Sequence, residues 1–317
     1  MKTTIVATIL LAAASCSGAP PQLEGDPFQP PPSAPLCWGA TSNSLPKAFW
    51  VYRVMPKAFS GAQMSNAIAL GRLQAARLVT PPVPIPDRQL SYFQDAAAGA
   101  QRHLAIAPTL GSMEYYAGVS LREPAVEVPS EELAKSLAFS CLFALGIDRS
   151  QIADTYRNSG TATGGKLDQH GQRLTTTTLR RGVALFRRID GVQVAAPCFR
   201  VVFGNHARIT QFTLTWRNLI PDAAYQAAGP EQLTDRIKAG RAVAPPQDFD
   251  LATLAQARRL VVAKATPFYY DKPGLTPLDL VFPFAELELR AEMPETTNTV
   301  FVQVPILLTN IVAGLDN

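Results

Sequence analysis

Histidine and cysteine are scarce: three histidines and four cysteines in 317 residues. His103, His170 and His206 lie far apart, and none has a second ligand at a spacing that builds a zinc site. No metal or cofactor is expected. The G-x-S-x-G elbow of many serine hydrolases is missing, which removes the usual acyl-transfer reading. No run of charge of one sign exists. The net charge of +4 is dispersed, and pairs such as Arg180-Arg181 and Arg187-Arg188 sit inside apolar alternation, as on solvated strand faces. Without a basic stripe or stacking motif, no nucleic-acid partner is expected. Beyond the first twenty residues no apolar run approaches the roughly 20 residues of a spanning helix. With 47% hydrophobic and 17% charged residues, the chain has material for one large or two to three small cores.

The first residues read as a targeting segment. Lys2 gives a positive start, Ile5 to Ala14 is apolar except for Thr8, and small residues precede Cys16. Ala13-Ala14-Ser15-Cys16 resembles the bacterial lipoprotein cleavage box, in which the cysteine is acylated and becomes the new N-terminus. Its first position is alanine where leucine is usual, and a plain signal peptide cut near Ala19 is the alternative. We read residues 1–15 as a signal peptide and Cys16 as the lipidation site. The body is then exported and held on a membrane surface through its lipid. Cys37, Cys141 and Cys198 match no disulfide framework. Cys141 reads as a core residue, and a Cys37–Cys198 bridge is left open.

Residues 16–46, with seven prolines between Ala19 and Pro35, read as an extended spacer. Three folded units are expected behind it, at 47–125, 126–222 and 223–317. In the first, Phe49 to Val54 reads as a strand, Phe59 to Leu73 as a helix, and Leu90 to Phe93, His103 to Ala107 and Met113 to Ala117 as strands. The second opens at Pro129-Ser130-Glu131-Glu132, a cap followed by acidic residues. Leu133, Ala134, Leu137, Ala138, Cys141, Leu142 and Leu145 form one apolar helix face closed by Gly146. Strands are expected at Gln151 to Arg157, Thr175 to Ile189, Phe199 to Phe203 and Arg208 to Trp216, with turns at Asp190-Gly191 and Gly204-Asn205. Phe199, Val201 and Phe203 share a face, as do Phe212, Leu214 and Trp216, while Thr213 and Thr215 point to water. The third unit reads as a helix from Pro230 to Ala239, a second helical stretch at Leu251 to Arg259, and strands at Arg259 to Tyr270, Leu278 to Leu289 and Thr299 to Leu308. The expected fold class is α+β, as repeated units of a helix packed on an antiparallel sheet.

One segment carries a family likeness. Phe186-Arg187-Arg188-Ile189-Asp190-Gly191-Val192-Gln193-Val194 resembles the F-R-x-x-D-G-x-P-V strand and turn of PepSY and FTP-type modules, with Gln193 where proline is common. Phe199 to Asn205 and Ile209 to Trp216 are similar to their hairpin, and the helix ending in Leu145-Gly146-Ile147 fits before it. The likeness spans about residues 129 to 220, with a weaker first copy at 47 to 120. Such modules occur in protease propeptides and in YycH/YycI-type envelope regulators. The resemblance implies a cystatin-like fold and a non-catalytic module that binds or restrains another protein. An exported protease or a sensor kinase is the partner class it suggests.

Other chemistry is thin. Gly160 to Lys166 approaches a phosphate-binding loop, but Leu167 stands where the motif needs serine or threonine, so a plain loop is expected. Glu114, Asp148, Asp190, Glu286 and Glu288 have no evident pairing for acid–base work, and Glu286 and Glu288 alternate with leucines as on a wet strand face. Tyr115-Tyr116, Phe268-Tyr269-Tyr270 and Phe282-Pro283-Phe284 read as core filling, with a peptide or small apolar ligand groove as the alternative. The chain is expected to bind rather than catalyse, with no catalytic residue named. A carrier for a small apolar or peptide ligand and a hydrolase with a dispersed site are the two alternatives.

Overall fold

The computed structural model describes residues 23, 25–40, 45–57, 59–73, 77–79, 91–95, 102–118, 124–165, 169–170, 172, 175–247, 250–271 and 278–307. The leader, Cys16, Leu90, the prolines at 81, 82, 84 and 86, Lys166 and Leu167 lie outside them. Among the described residues the strands, in chain order, are β1 (Asp26–Phe28), β2 (Leu36–Trp38), β3 (Ala48–Met55), β4 (Arg77–Val79), β5 (Ser91–Gln94), β6 (His103–Ala107), β7 (Ser112–Tyr116), β8 (Ile152–Asn158) and β9 (Ala162–Gly164). There follow β10 (Thr177–Ile189), β11 (Val192–Phe203), β12 (Ile209–Thr215), β13 (Asn218–Gln226), β14 (Ala242–Ala244), β15 (Arg259–Tyr270), β16 (Leu280–Glu292) and β17 (Thr297–Pro305). The α-helices are α1 (Gly61–Leu70), α2 (Glu131–Ala144) and α3 (Pro230–Lys238).

The helices begin where the sequence supplies caps. Ser60 and Gln63 form a reciprocal capping box on α1, with the Ser60 hydroxyl accepting from the Gln63 N–H at 3.1 Å and the Ser60 N–H reaching Gln63 Oε1 at 3.0 Å. Ser130 caps α2 through the Leu133 N–H at 3.2 Å, and Gly146, at φ 75°, ends it. The Gln63 side chain donates to Leu145 O at 2.9 Å, tying the start of α1 to the end of α2.

A first, antiparallel sheet runs β4–β5–β6–β7–β12–β11–β10–β8, with β9 beside the start of β10. Both α1 and α2 contribute to its core, where Ala134, Ala138, Cys141 and Leu142 join Val183, Leu185, Phe199, Val201, Phe203, Phe212 and Leu214. The second sheet is mixed. β1, β14, β17, β16 and β15 are antiparallel neighbours, β2 adds to β15 in parallel, and β3 joins the start of β16 to β13. Its core holds Phe28, Leu36, Phe49, Val51, Leu233, Ile237 and the inward residues of β15 to β17.

This overturns the expected fold class. Among the described residues the fold is dominated by one connected system of seventeen strands with three α-helices, and is not a series of helix-on-sheet units. The supposed first and second copies merge, because β7 pairs with β12 along five residues, from Gln211↔Tyr116 to Thr215↔Ser112. A hairpin of five-residue strands such as β6–β7 leaves a bare edge, and the strand that satisfies it lies nearly a hundred residues later. β3, expected in the first unit, packs into the C-terminal core instead. Within the stretch read as a spacer, β1 and β2 are ordered strands that bury Phe28 and Leu36. Pro27 is tolerated because β1 is an edge strand.

The wet face expected on β12 is also only partly wet. Thr215 is buried, as are Ala184, Phe186 and Val202 on β10 and β11. The segment after β8 crosses there: a Cβ on Gly182 would lie 1.6 Å from Ser159 O, so only glycine admits that crossing.

Candidate binding cleft at the junction of the two sheets

The hairpin β10–β11 belongs to both sheets. Ile189, Val192 and Val194 pack in the second core, while Val183, Leu185, Cys198, Phe199, Val201 and Phe203 pack in the first. Val194 pairs in parallel with Tyr269 of β15, and further along β11 pairs with β12. The turn is a two-residue connection, Ile189↔Val192, with Asp190 at φ 51° and Gly191 at φ 80°, the geometry that asparagine, aspartate and glycine accept. The F-R-R-I-D-G-V-Q-V segment is therefore the crossing point of the molecule.

Buried charge gathers there. The Arg217 guanidinium, on the residue that leads from β12 into β13, is buried and donates through Nε to Asp271 Oδ1 at 2.6 Å. Arg187 lies over the Trp216 ring, 4.3 Å from its centroid, and donates to Arg217 O at 2.9 Å. Burial pulls the Arg187 pKa down, and burial raises that of the Asp271 carboxyl against the lowering pull of both guanidiniums. Asp190 accepts a hydrogen bond from the Tyr52 hydroxyl, whose pKa is raised first by burial and then by that carboxylate. The Cys198 thiol in the same region is pushed up to about 12 by burial. The arrangement is a lock between two cores, with every named member held by a neighbour.

Beside the lock lies a cleft of about 460 Å³. One wall is Gln193 and Ala195 of β11 with Arg157 of β8, and the other is Pro245, Pro246 and Gln247 after β14. Its floor is the open face of β15, β16 and β17. Thr266, Glu286 and Gln303 form one cross-strand row there, since Thr266 pairs with Glu286 and Glu286 with Gln303. Gln303 Nε2 lies 3.4 Å from Glu286 Oε2. Phe268 flanks the row, buried, and Phe301 flanks it with 38% exposure. The Gln247 amide closes the edge of β17 as a short strand would, accepting from the Phe301 N–H at 3.0 Å and donating to Phe301 O at 3.2 Å. A wider hollow of about 570 Å³ lies over the turn Met293–Thr296 and the segment from Asp250, but it lacks both an aromatic side chain and an ordered strand row.

Of the residues singled out in the sequence, Gln193, Phe268 and Glu286 meet in the cleft. The others do not. Tyr115, Tyr269, Phe282 and Phe284 are core residues, and Tyr116 is exposed. Glu114 sits on β7 with its carboxyl raised by burial. His103 on β6 stacks on Tyr92 at 5.2 Å, whereas His206, in the turn between β11 and β12, bonds Glu127 at 2.8 Å. The glycine-rich segment gives Gly160 at φ 80° and then β9. Cys37 is exposed and Cys141 and Cys198 are buried, all three as free thiols. Burial pushes Cys141 up to about 11. No group of three potential metal ligands occurs, and no helix is long and apolar enough to cross a membrane, among the described residues. Sequence reasoning missed Arg157, Gln247, Phe301 and Gln303. Phe301 and Gln303 alternate with buried Val300, Val302 and Val304, so a mark of the wet face was present, but nothing marked that face as a cleft.

No family model and no curated protein matches the chain. Among solved structures it is similar to the crystal structure of an uncharacterised protein from Eubacterium rectale ATCC 33656, with a TM-score of 0.47, 9% identity, and 85% of this chain and 86% of that one covered.

Proposed function

We propose that this chain is a non-catalytic binding protein of the cell envelope, anchored through a lipid on Cys16, whose target seats in the cleft between the two sheets. The observation that carries the reading is the polar row Thr266–Glu286–Gln303 on a strand floor whose opposite face, at Ala265, Leu287 and Val302, is buried. That row, a partly exposed Phe301 and walls bearing Gln193 and Arg157 make a site with apolar surface and a few convergent polar groups, the usual make-up of a recognition pocket. Cys141 and Cys198 are not suited to nucleophilic catalysis, being buried thiols with raised pKa values.

A second reading, that the chain restrains an exported protein such as a protease or sensor kinase, draws support from the outer side of α2. Leu133 is 50% exposed there and Phe143 is 80% exposed. One experiment addresses both readings. A photo-crosslinking phenylalanine analogue replaces Phe301 or Phe143 in the full chain, expressed in its native envelope and irradiated. An adduct at position 301 and none at 143 is the expected result. A protein adduct at 143 alone favours the restraining role, and no adduct at either position overturns both. Anchoring is checked separately, since Cys16→Ser should move the protein from the membrane fraction to the soluble one.

A further inference from the structure

We infer that the cleft is a site for a neutral oligosaccharide of about two or three sugar units. This rests on the binding reading above and names its ligand class.

An extended peptide held by strand addition needs free main-chain groups. In the row β16 offers none, because it is paired on both sides, with β15 and with β17. The outer edge of β17 is occupied in turn: Gln303 faces Val243 of β14, and the Phe301 N–H and carbonyl are both taken by the Gln247 amide. Along β16 and β17 recognition therefore runs through side chains. An anionic ligand such as a phosphate would meet the Glu286 carboxylate as well as the Arg157 guanidinium, and the two lining charges cancel. A wholly apolar ligand would strip water from Glu286, Gln303 and Thr266 without replacing its hydrogen bonds, which is costly.

What remains is a neutral ligand rich in hydroxyls that also has apolar faces, which describes a sugar. Each hydroxyl both donates and accepts, and the floor supplies both roles. Glu286 accepts only, the Gln303 and Gln193 amides do both, and Thr266 adds a hydroxyl. Gln193 is already oriented, its Oε1 accepting from Thr155 Oγ1 at 2.5 Å. The half-exposed Phe301 ring gives the C–H face of a sugar a flat surface to lie on. A volume of about 460 Å³ lies within the roughly 300–1,000 Å³ of small-ligand sites.

The test uses the purified full chain in detergent with maltotriose, cellotriose, xylotriose and tri-N-acetylchitotriose, followed by saturation-transfer NMR and calorimetry. Trigalacturonate and triglycine serve as the charged and peptide comparators. At least one neutral trisaccharide should bind with micromolar to millimolar affinity. Phe301→Ala and Gln303→Ala should each weaken it at least about 10-fold, with the urea midpoint unchanged. The inference is overturned if no neutral trisaccharide binds at millimolar concentration, if a comparator binds more tightly, or if both variants bind as the parent does. A crosslinked adduct at position 301 without saccharide binding rejects the sugar and keeps the cleft. Saccharide binding untouched by both variants, with no adduct at 301, rejects the cleft itself.

Discussion

Arg217 is a charged residue that the fold buries completely, and its partner Asp271 is buried with it. Removing one member leaves the other as an uncompensated charge in a low-dielectric surrounding. Arg217→Met or Asp271→Leu alone should therefore cost about 3–5 kcal/mol, whereas the double replacement should recover most of that loss. Urea denaturation of the three variants checks it, and additive losses would show that the pair is not coupled. The thiols offer a second test at this scale. Cys37 is exposed, whereas Cys141 and Cys198 are buried with raised pKa values, so iodoacetamide should label Cys37 in the native protein and reach the other two only in denaturant. Mass spectrometry of the labelled peptides gives the answer. Little of this was legible beforehand. The apolar face of α2 announced Cys141 as a core residue, but nothing beside Trp216 announced that the next residue would carry a buried ion pair with a group 54 positions away.

Single elements were the most readable level. The pattern Phe199–Val201–Phe203 and Phe212–Leu214 gave the inward faces of β11 and β12, and Leu233 and Ile237 are the buried residues of α3 as their spacing implies. Local capping and turn chemistry is carried by adjacent residues, which is why Ser130, Gly146 and Asp190-Gly191 could be read directly. Pairing between elements was not readable, because any alternating strand satisfies the edge of any other. The crossing at Gly182 gives an element-scale prediction. Gly182→Ala forces the Ser159 backbone off β10 and should destabilise by at least the roughly 1–3 kcal/mol of ordinary overpacking, read from the urea midpoint.

Element ends also set the response to acid. Glu131 is held below its usual range by hydrogen bonds from Tyr156 and Asn158, Asp148 by Ser150, and Glu292 by Arg259. A carboxyl whose folded pKa is depressed stabilises the fold above its unfolded pKa, and that contribution is lost as pH falls through the folded value. Glu114 and Asp271, both raised by burial, act in the opposite sense and favour the folded state on acidification. The depressed groups govern the range below about pH 4. Glu292→Gln should therefore lower thermal stability slightly at neutral pH, leave the value in strong acid unchanged, and so flatten the loss between them. An unaltered acid slope would refute the assignment.

At the scale of the whole molecule, the two cores draw on the chain differently. The first is built from residues between Phe59 and Trp216, and the second from Phe28 to Tyr52, from Ile189, Val192 and Val194 at a hairpin tip inside the first span, and from Ala228 to Leu307. A chain ending before Leu280 loses β16 and β17 and with them the floor of the cleft. It should keep the α2 helix protected in hydrogen exchange while β3 exchanges freely. Equal loss of protection in both would show that neither core stands alone.

That interleaving also sets an order in time. A chain that emerges from its N-terminus completes the first core while β1 to β3 are still waiting for partners near its other end. Phe49, Val51 and Tyr52 find their first strand partners on β13, and their core is closed only when Leu280 and Val281 arrive, more than two hundred residues later. The cleft comes into being only after β17 has been laid on β16, late in the making of the second sheet.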